Sequence, residues 1–112
     1  MSDIAPEPSA TPEARELAGM LQFQEGAVVS RVLLKNKGGS VTLFAFEKGE
    51  GLSEHTAPFE ALVIAVEGEA EIEIANQPYR VKAGETITLP ANQPHAVRPL
   101  SRFKMLLVML RA

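Results

Sequence analysis

The sequence predicts an all-β fold, a small sandwich or barrel preceded by one short helix. Three observations carry that reading. Short apolar or alternating runs recur along the chain, Gly and Pro turn signals separate them closely, and β signals dominate everything past Gly19.

Residues 1–10 (MSDIAPEPSA) are Pro-rich and small or polar, the composition of a flexible tail. Residues 11–112 are expected to form one domain. Thr11-Pro12-Glu13 reads as a helix start, with Thr as N-cap, Pro at the first helical position and an acid in the first turn. That helix is expected to end near Gly19. Leu21 and Phe23 follow, then VVSRVLLK (28–35), a turn at 36–39 and SVTLFAFE (40–47). The run Lys37-Gly38-Gly39-Ser40 leads into a strand and lacks phosphate-loop spacing, so it reads as a hairpin turn.

The segment ALVIAV (61–66) is apolar on both faces, whereas EAEIEIA (69–75) alternates. Ala70, Ile72 and Ile74 fall on its buried face; Glu69, Glu71 and Glu73 fall on the solvated one, the pattern of a wet sheet face rather than a cation site. Turns at 76–78 and 83–84 introduce strands at 79–82 and 85–89, and PANQP (90–94) is a rigid loop delivering His95. The last segment, FKMLLVML (103–110), is again apolar on both faces. Two such strands in so small a domain predict a covered outer surface, and a homodimer is the simplest cover.

With 112 residues, 46% of them hydrophobic, the chain is long enough to bury a core. A net charge of -3 and the absence of a Lys/Arg cluster exclude nucleic acid as the expected partner. Without cysteine there is neither a disulfide framework nor a thiolate metal site. No signal-peptide pattern is visible, and no apolar stretch approaches the roughly 18 residues of a membrane span. The expected setting is cytoplasmic, with no membrane partner.

Candidate chemistry centres on the only two histidines, His55 and His95. In a regular strand His55, Ala57, Ala61, Val63 and Ala65 share parity and project into one interior. With His95 they are the predicted lining of a ligand pocket. Glu60 is one residue out of phase and reaches that pocket only if a bulge near Pro58 restores it. Glu54 points away from it. Tyr79 reads as a barrel or surface residue, and Met105 and Met109 as core or interface filler.

The two histidine segments resemble the paired motifs of the cupin superfamily, small jelly-roll β-barrels also described as double-stranded β-helices. The first motif runs Gly, five residues, His-x-His, three or four residues, Glu, six residues, Gly; here Gly49, His55 and Gly68 match it. The second runs Gly, five residues, Pro-x-Gly, two residues, His, three residues, Asn; here Gly84, Pro90 and His95 match it, with Asn92 in place of the inner Gly. The resemblance covers residues 28–112, with the short spacer between motifs found in small microbial cupins. It implies a divalent metal (zinc, iron, manganese or nickel) held by His55 and His95. The family's other ligand positions, however, read Ala57 for the second His and Ala61 for the Glu, and Pro99 stands at the closing Asn.

Three functions are compatible with these residues. The first is a binding module, in which the alanines enlarge a dry pocket and the histidines serve as polar handles for a small molecule. A metal-dependent enzyme of oxygenase or isomerase type would instead use His55 and His95, with water, substrate or Glu60 completing the shell. The third is a catalytically silent dimeric module.

Overall fold

The computed structural model describes residues 12–111, in which nine strands form two antiparallel sheets. They are β1 (Val28–Asn36), β2 (Gly39–Phe46), β3 (Leu52–His55), β4 (Glu60–Glu67), β5 (Glu69–Ile74), β6 (Gln77–Lys82), β7 (Thr86–Leu89), β8 (His95–Pro99) and β9 (Phe103–Leu110). The larger sheet has the order β1-β2-β9-β4-β7, the smaller one β3-β8-β5-β6. Consecutive strands repeatedly change sheet, as from β2 to β3, β3 to β4 and β4 to β5. This is the jelly-roll arrangement expected.

The predicted N-terminal helix is corrected to a single 3-10 turn, Leu17–Met20, whose leading residue Glu16 makes no side-chain capping bond. So short a segment cannot repay helix nucleation by itself. Its carbonyls serve side chains of the sheet instead: Ala18 O accepts from Lys104 Nζ, and Met20 O from Arg31 at 3.0 Å. The expected N-cap Thr11 and the tail at 1–10 lie outside the described residues.

The interior lies between the sheets. Phe46, Val63, Ala65, Ile72, Phe103 and Met105 are at most 2% exposed and pack in one cluster. Phe46 sits 5.9 Å from Phe44 and 5.8 Å from Phe103 between ring centroids, within the range of favourable aromatic pairs. Burying these large side chains supplies the main drive for closure.

Gly68 is the single residue between β4 and β5, where the chain leaves one sheet for the other. Its φ of +80° is in the left-handed region, and a Cβ there would stand 1.8 Å from the Arg102 carbonyl oxygen. Only glycine fits so tight a crossing.

The alternation read in EAEIEIA holds in β5, with Ala70, Ile72 and Ile74 buried. On the opposite face Glu69 meets Arg80 at 2.7 Å and Glu71 meets Arg98 at 3.0 Å, so these acids belong to cross-strand ion pairs. Gln77 and Pro78, expected in a turn, belong to β6. That is tolerable because β6 is an edge strand and proline's missing N–H costs no ladder bond there. The turn shrinks to Ala75-Asn76, both at positive φ, the signature of a two-residue hairpin turn.

Candidate functional site

His55 and His95 are brought together. They are register partners on β3 and β8, with Nε2 atoms 3.1 Å apart and ring centroids 4.3 Å apart at 70°. His95 is central in the smaller sheet, flanked by His55 on β3 and Ile74 on β5, and only 9% exposed. His55 ends the edge strand β3 and is exposed.

Two local features aim the rings. Between Leu52 and His55 the β3 register shifts against β8, so β3 carries one extra residue. An extra residue of this kind re-aims the side chains that follow it. On the other side, the loop before β8 is fastened from two directions. Asn92 N–H donates to Ala57 O at 2.8 Å, and Ala75 N–H donates to Pro94 O at 2.8 Å. Asn92 sits at φ +65°, a conformation that asparagine tolerates better than most residues.

Both outer ring nitrogens lean on backbone. His55 Nδ1 lies 3.0 Å from Ser53 O, and His95 Nδ1 lies 3.2 Å from Gln93 O. A carbonyl oxygen accepts only, so each of these contacts is a hydrogen bond in the tautomer that carries its hydrogen on Nδ1. Two neutral imidazoles hold two N–H hydrogens, and these contacts use both. The facing Nε2 atoms then present two lone pairs at hydrogen-bonding distance. Such a pair is one positive charge short, and a proton or a cation between the nitrogens fills the deficit. Burial pushes the His95 pKa below its usual value, opposed by the Gln93 carbonyl and reinforced by the nearby His55. His95 is therefore held toward its neutral form.

The remaining predicted site residues separate into two groups. Ala57 lies in the loop beside the pair, half-buried, with its carbonyl taken by Asn92. Ala61 is half-buried and packs against the core, opposite Leu89 and Met109. Val63 is 0% and Ala65 2% exposed, within the packed interior beside Phe46 and Phe103. The shared parity expected from His55 to Ala65 does not run through, because β3 ends at His55 in the smaller sheet and β4 begins at Glu60 in the larger one. Small side chains on β4 are thus matched by large aromatic ones rather than facing an opened space.

Glu60 is exposed at the start of β4, opposite Leu110 in register. Among the described residues no three His, Asp or Glu side chains group as a metal site would need. Met105 is buried in the core, Met109 is half-buried, and Tyr79 is exposed. What sequence reasoning missed is the backbone support, Ser53 O, Gln93 O and the Asn92–Ala57 bond. Of these only Asn92 left a signal, as a residue suited to positive φ between two prolines.

The donor set fits a divalent metal in part. Two converging imidazole nitrogens, each backed by a carbonyl at the far ring nitrogen, are how ligating histidines are held. Two such nitrogens do not make the closed four-ligand shell of a structural site, so other positions stay open to water or a bound molecule.

Comparison with known proteins agrees with this architecture. The cupin-domain family model matches residues 42–109. A conserved protein of unknown function from Streptococcus pyogenes is 33% identical, with a TM-score of 0.87 over 100% of this chain and 96% of that one. A cupin superfamily protein from Desulfitobacterium hafniense is 30% identical, with a TM-score of 0.84 over 90% of this chain and 94% of that one. A cupin 2 conserved barrel domain protein from Leptotrichia buccalis is 42% identical, with a TM-score of 0.82 over 85% of this chain and 46% of that longer one. No curated protein matches the chain. With both sheets in jelly-roll order, two histidine segments at the motif spacing and this family match over most of its length, the chain belongs to the cupin family.

Proposed function

We propose that this cupin is a small-molecule-binding module whose His55–His95 pair grips the polar end of its ligand. One observation carries the reading: the two Nε2 atoms converge to 3.1 Å while the Nδ1 atoms lie 3.0 Å and 3.2 Å from the carbonyls of Ser53 and Gln93. The assembled pair acquires positive charge when its missing proton or cation arrives, so an oxygen-rich or anionic group is its natural complement. Ala57 and Ala61 stand where the family motif has bulkier ligating side chains, which leaves the two histidines as the polar groups of the site. A thermal-shift and calorimetric titration with short mono- and dicarboxylates tests this. Binding that is lost in His55→Ala and in His95→Ala is expected; no binding by any member of the panel would remove the reading.

A second reading, a metal-dependent enzyme of oxygenase or isomerase type, is favoured by the carbonyl support of both rings. His55 and His95 would hold zinc, iron, manganese or nickel, and the metal would supply Lewis-acid activation of a bound oxygen. The chain's own part is to orient the two nitrogens and keep His95 neutral through burial. Elemental analysis of untagged protein after reconstitution with each of the four metals tests it. Content near zero for all four excludes the enzyme reading and leaves the binding module standing.

The proposal includes a homodimer, supported by the apolar outer face of the larger sheet. A cytoplasmic setting is also part of it, in keeping with a chain that has no cysteines for disulfides.

A further inference from the structure

One rim of the barrel gathers strand ends from both sheets. His55 closes β3 and His95 opens β8 in the smaller sheet, while Glu60 opens β4 and Leu110 closes β9 in the larger one. The Asn92 N–H on Ala57 O ties the loop before His95 to the loop after His55. Phe59 is four residues beyond His55, at most about 14 Å of extended chain. His95 is in register with the core residue Ile74, and directly paired residues share a face, so the histidines approach this rim from the inner side of their sheet.

Arg111 approaches it from the larger sheet. Its N–H donates to Gly38 O at 2.8 Å, which continues the β2–β9 ladder one step past Gly39 and Leu110. Met105 lies in the core and Leu107 packs against it, so alternation along β9 makes Met109 and then Arg111 the next inward positions. The register of Glu60 with Leu110 sets Phe59 beside Arg111, and the guanidinium carbon stands 5.4 Å from the centre of that ring. An aromatic face holds a guanidinium without consuming its N–H donors. Here Arg111 differs from the other described arginines. Arg15, Arg80, Arg98 and Arg102 each meet a carboxylate, and Arg31 meets the Met20 carbonyl. Among the described residues no carboxylate pairs with Arg111; Glu60 alternates with the inward Ala61 and is exposed.

We infer that Arg111 is a specificity-determining residue of the histidine site, and that the ligand is a short linear dicarboxylate. One carboxylate meets the His55–His95 pair and the other meets the guanidinium fork, which matches a carboxylate with two parallel N–H bonds. Phe59 is the positioning residue that holds the fork at the rim. This names the ligand class of the binding module proposed above and rests on that reading. Anchors on opposite sheets also make binding depend on ligand length, tightest where the diacid matches their separation.

Calorimetric titration of the full chain with butyrate and with the straight-chain diacids from malonate to pimelate tests the inference. Wild type is expected to bind one diacid length about fivefold or more tighter than butyrate, with weaker binding of shorter and longer diacids. Arg111→Gln is expected to bring every diacid within about twofold of butyrate, and Arg111→Lys to recover part of the preference because it keeps the charge and loses the fork. In Phe59→Leu the charge stays and its position does not, so the dependence on length is expected to flatten. Arg80→Gln removes the same charge from β6, away from the rim, and is expected to bind as wild type does. Diacids and butyrate binding alike in wild type, a preferred length that survives Arg111→Gln, or an equal loss in Arg80→Gln would overturn the inference and leave the histidine reading standing. No carboxylate binding at all removes the histidine reading and this inference with it.

Discussion

At the scale of single residues, the histidine pair is defined by backbone as much as by its own rings. His95 provides a pH test with a definite sign. Its folded pKa lies below the ordinary value of 6.5, chiefly because burial disfavours the imidazolium. Between those two values the unfolded chain binds more protons, so this group's contribution is complete above about pH 6.5 and is lost as pH falls through the folded value. Urea midpoints of metal-free protein at pH 7.5 and pH 5.5 are expected to fall more steeply for wild type than for His95→Gln. Equal slopes would contradict the burial argument. The location of this pair was legible from motif spacing, since Gly49, His55, Gly84, Pro90 and His95 constrain where two strands meet. The tautomers were not, because Ser53 O and Gln93 O are main-chain atoms whose aim depends on a one-residue register shift in β3.

At the scale of elements, two short pieces of chain bear more than their length suggests. Gly68 joins β4 to β5 within one residue, and Gly68→Ala would combine a left-handed backbone with a Cβ pressed onto the Arg102 carbonyl. A loss on the order of 3 kcal/mol or more is expected in urea denaturation, from the strain and the forced backbone shift together. A loss below about 1 kcal/mol, the ordinary cost of a strained backbone residue, would show that the crossing can relax. The segment 17–23 forms a strap before β1 that Lys104 helps to hold, its side chain 5% exposed, 3.6 Å from Glu67, and bonded to Ala18 O. Lys104→Met keeps the apolar stem and removes the charged donor. Loss of that charge-assisted bond is expected to raise amide exchange about tenfold or more in residues 17–23, with little change in β5. Unchanged exchange there would mean that Phe23 and Arg31 hold the strap without it. Periodicity revealed β5 and β9 well, because one alternates and the other is apolar on both faces apart from Lys104. It misjudged the N-terminal helix, where the local signals of Thr11, Pro12 and Glu13 were outweighed by tertiary bonds to Lys104 and Arg31. The extension of one parity from His55 to Ala65 failed for a related reason: alternation describes a strand, and the chain changes sheet between β3 and β4.

At the scale of the whole molecule, the histidines lie where β3 meets β8 in the smaller sheet, while the cross-strand row that includes Val41, Val108 and Leu62 belongs to the larger one. The packed core between them, with Phe46 and Phe103 fully buried, fills the depth that Val63 and Ala65 alone would have opened. The histidine pair therefore stands at the barrel's margin, where β3 meets β8, and not in its centre. The central claim is that His55 and His95 form one charge-deficient pair with both Nδ1 atoms hydrogen-bonded to carbonyls. Long-range ¹H–¹⁵N spectra of the imidazole side chains in metal-free protein measure this directly. The expected result is N–H on Nδ1 of both rings, with Nε2 signals that move together when acid, zinc or a carboxylate ligand is added. Either ring as a neutral Nε2–H tautomer, or two rings that respond independently, would contradict it.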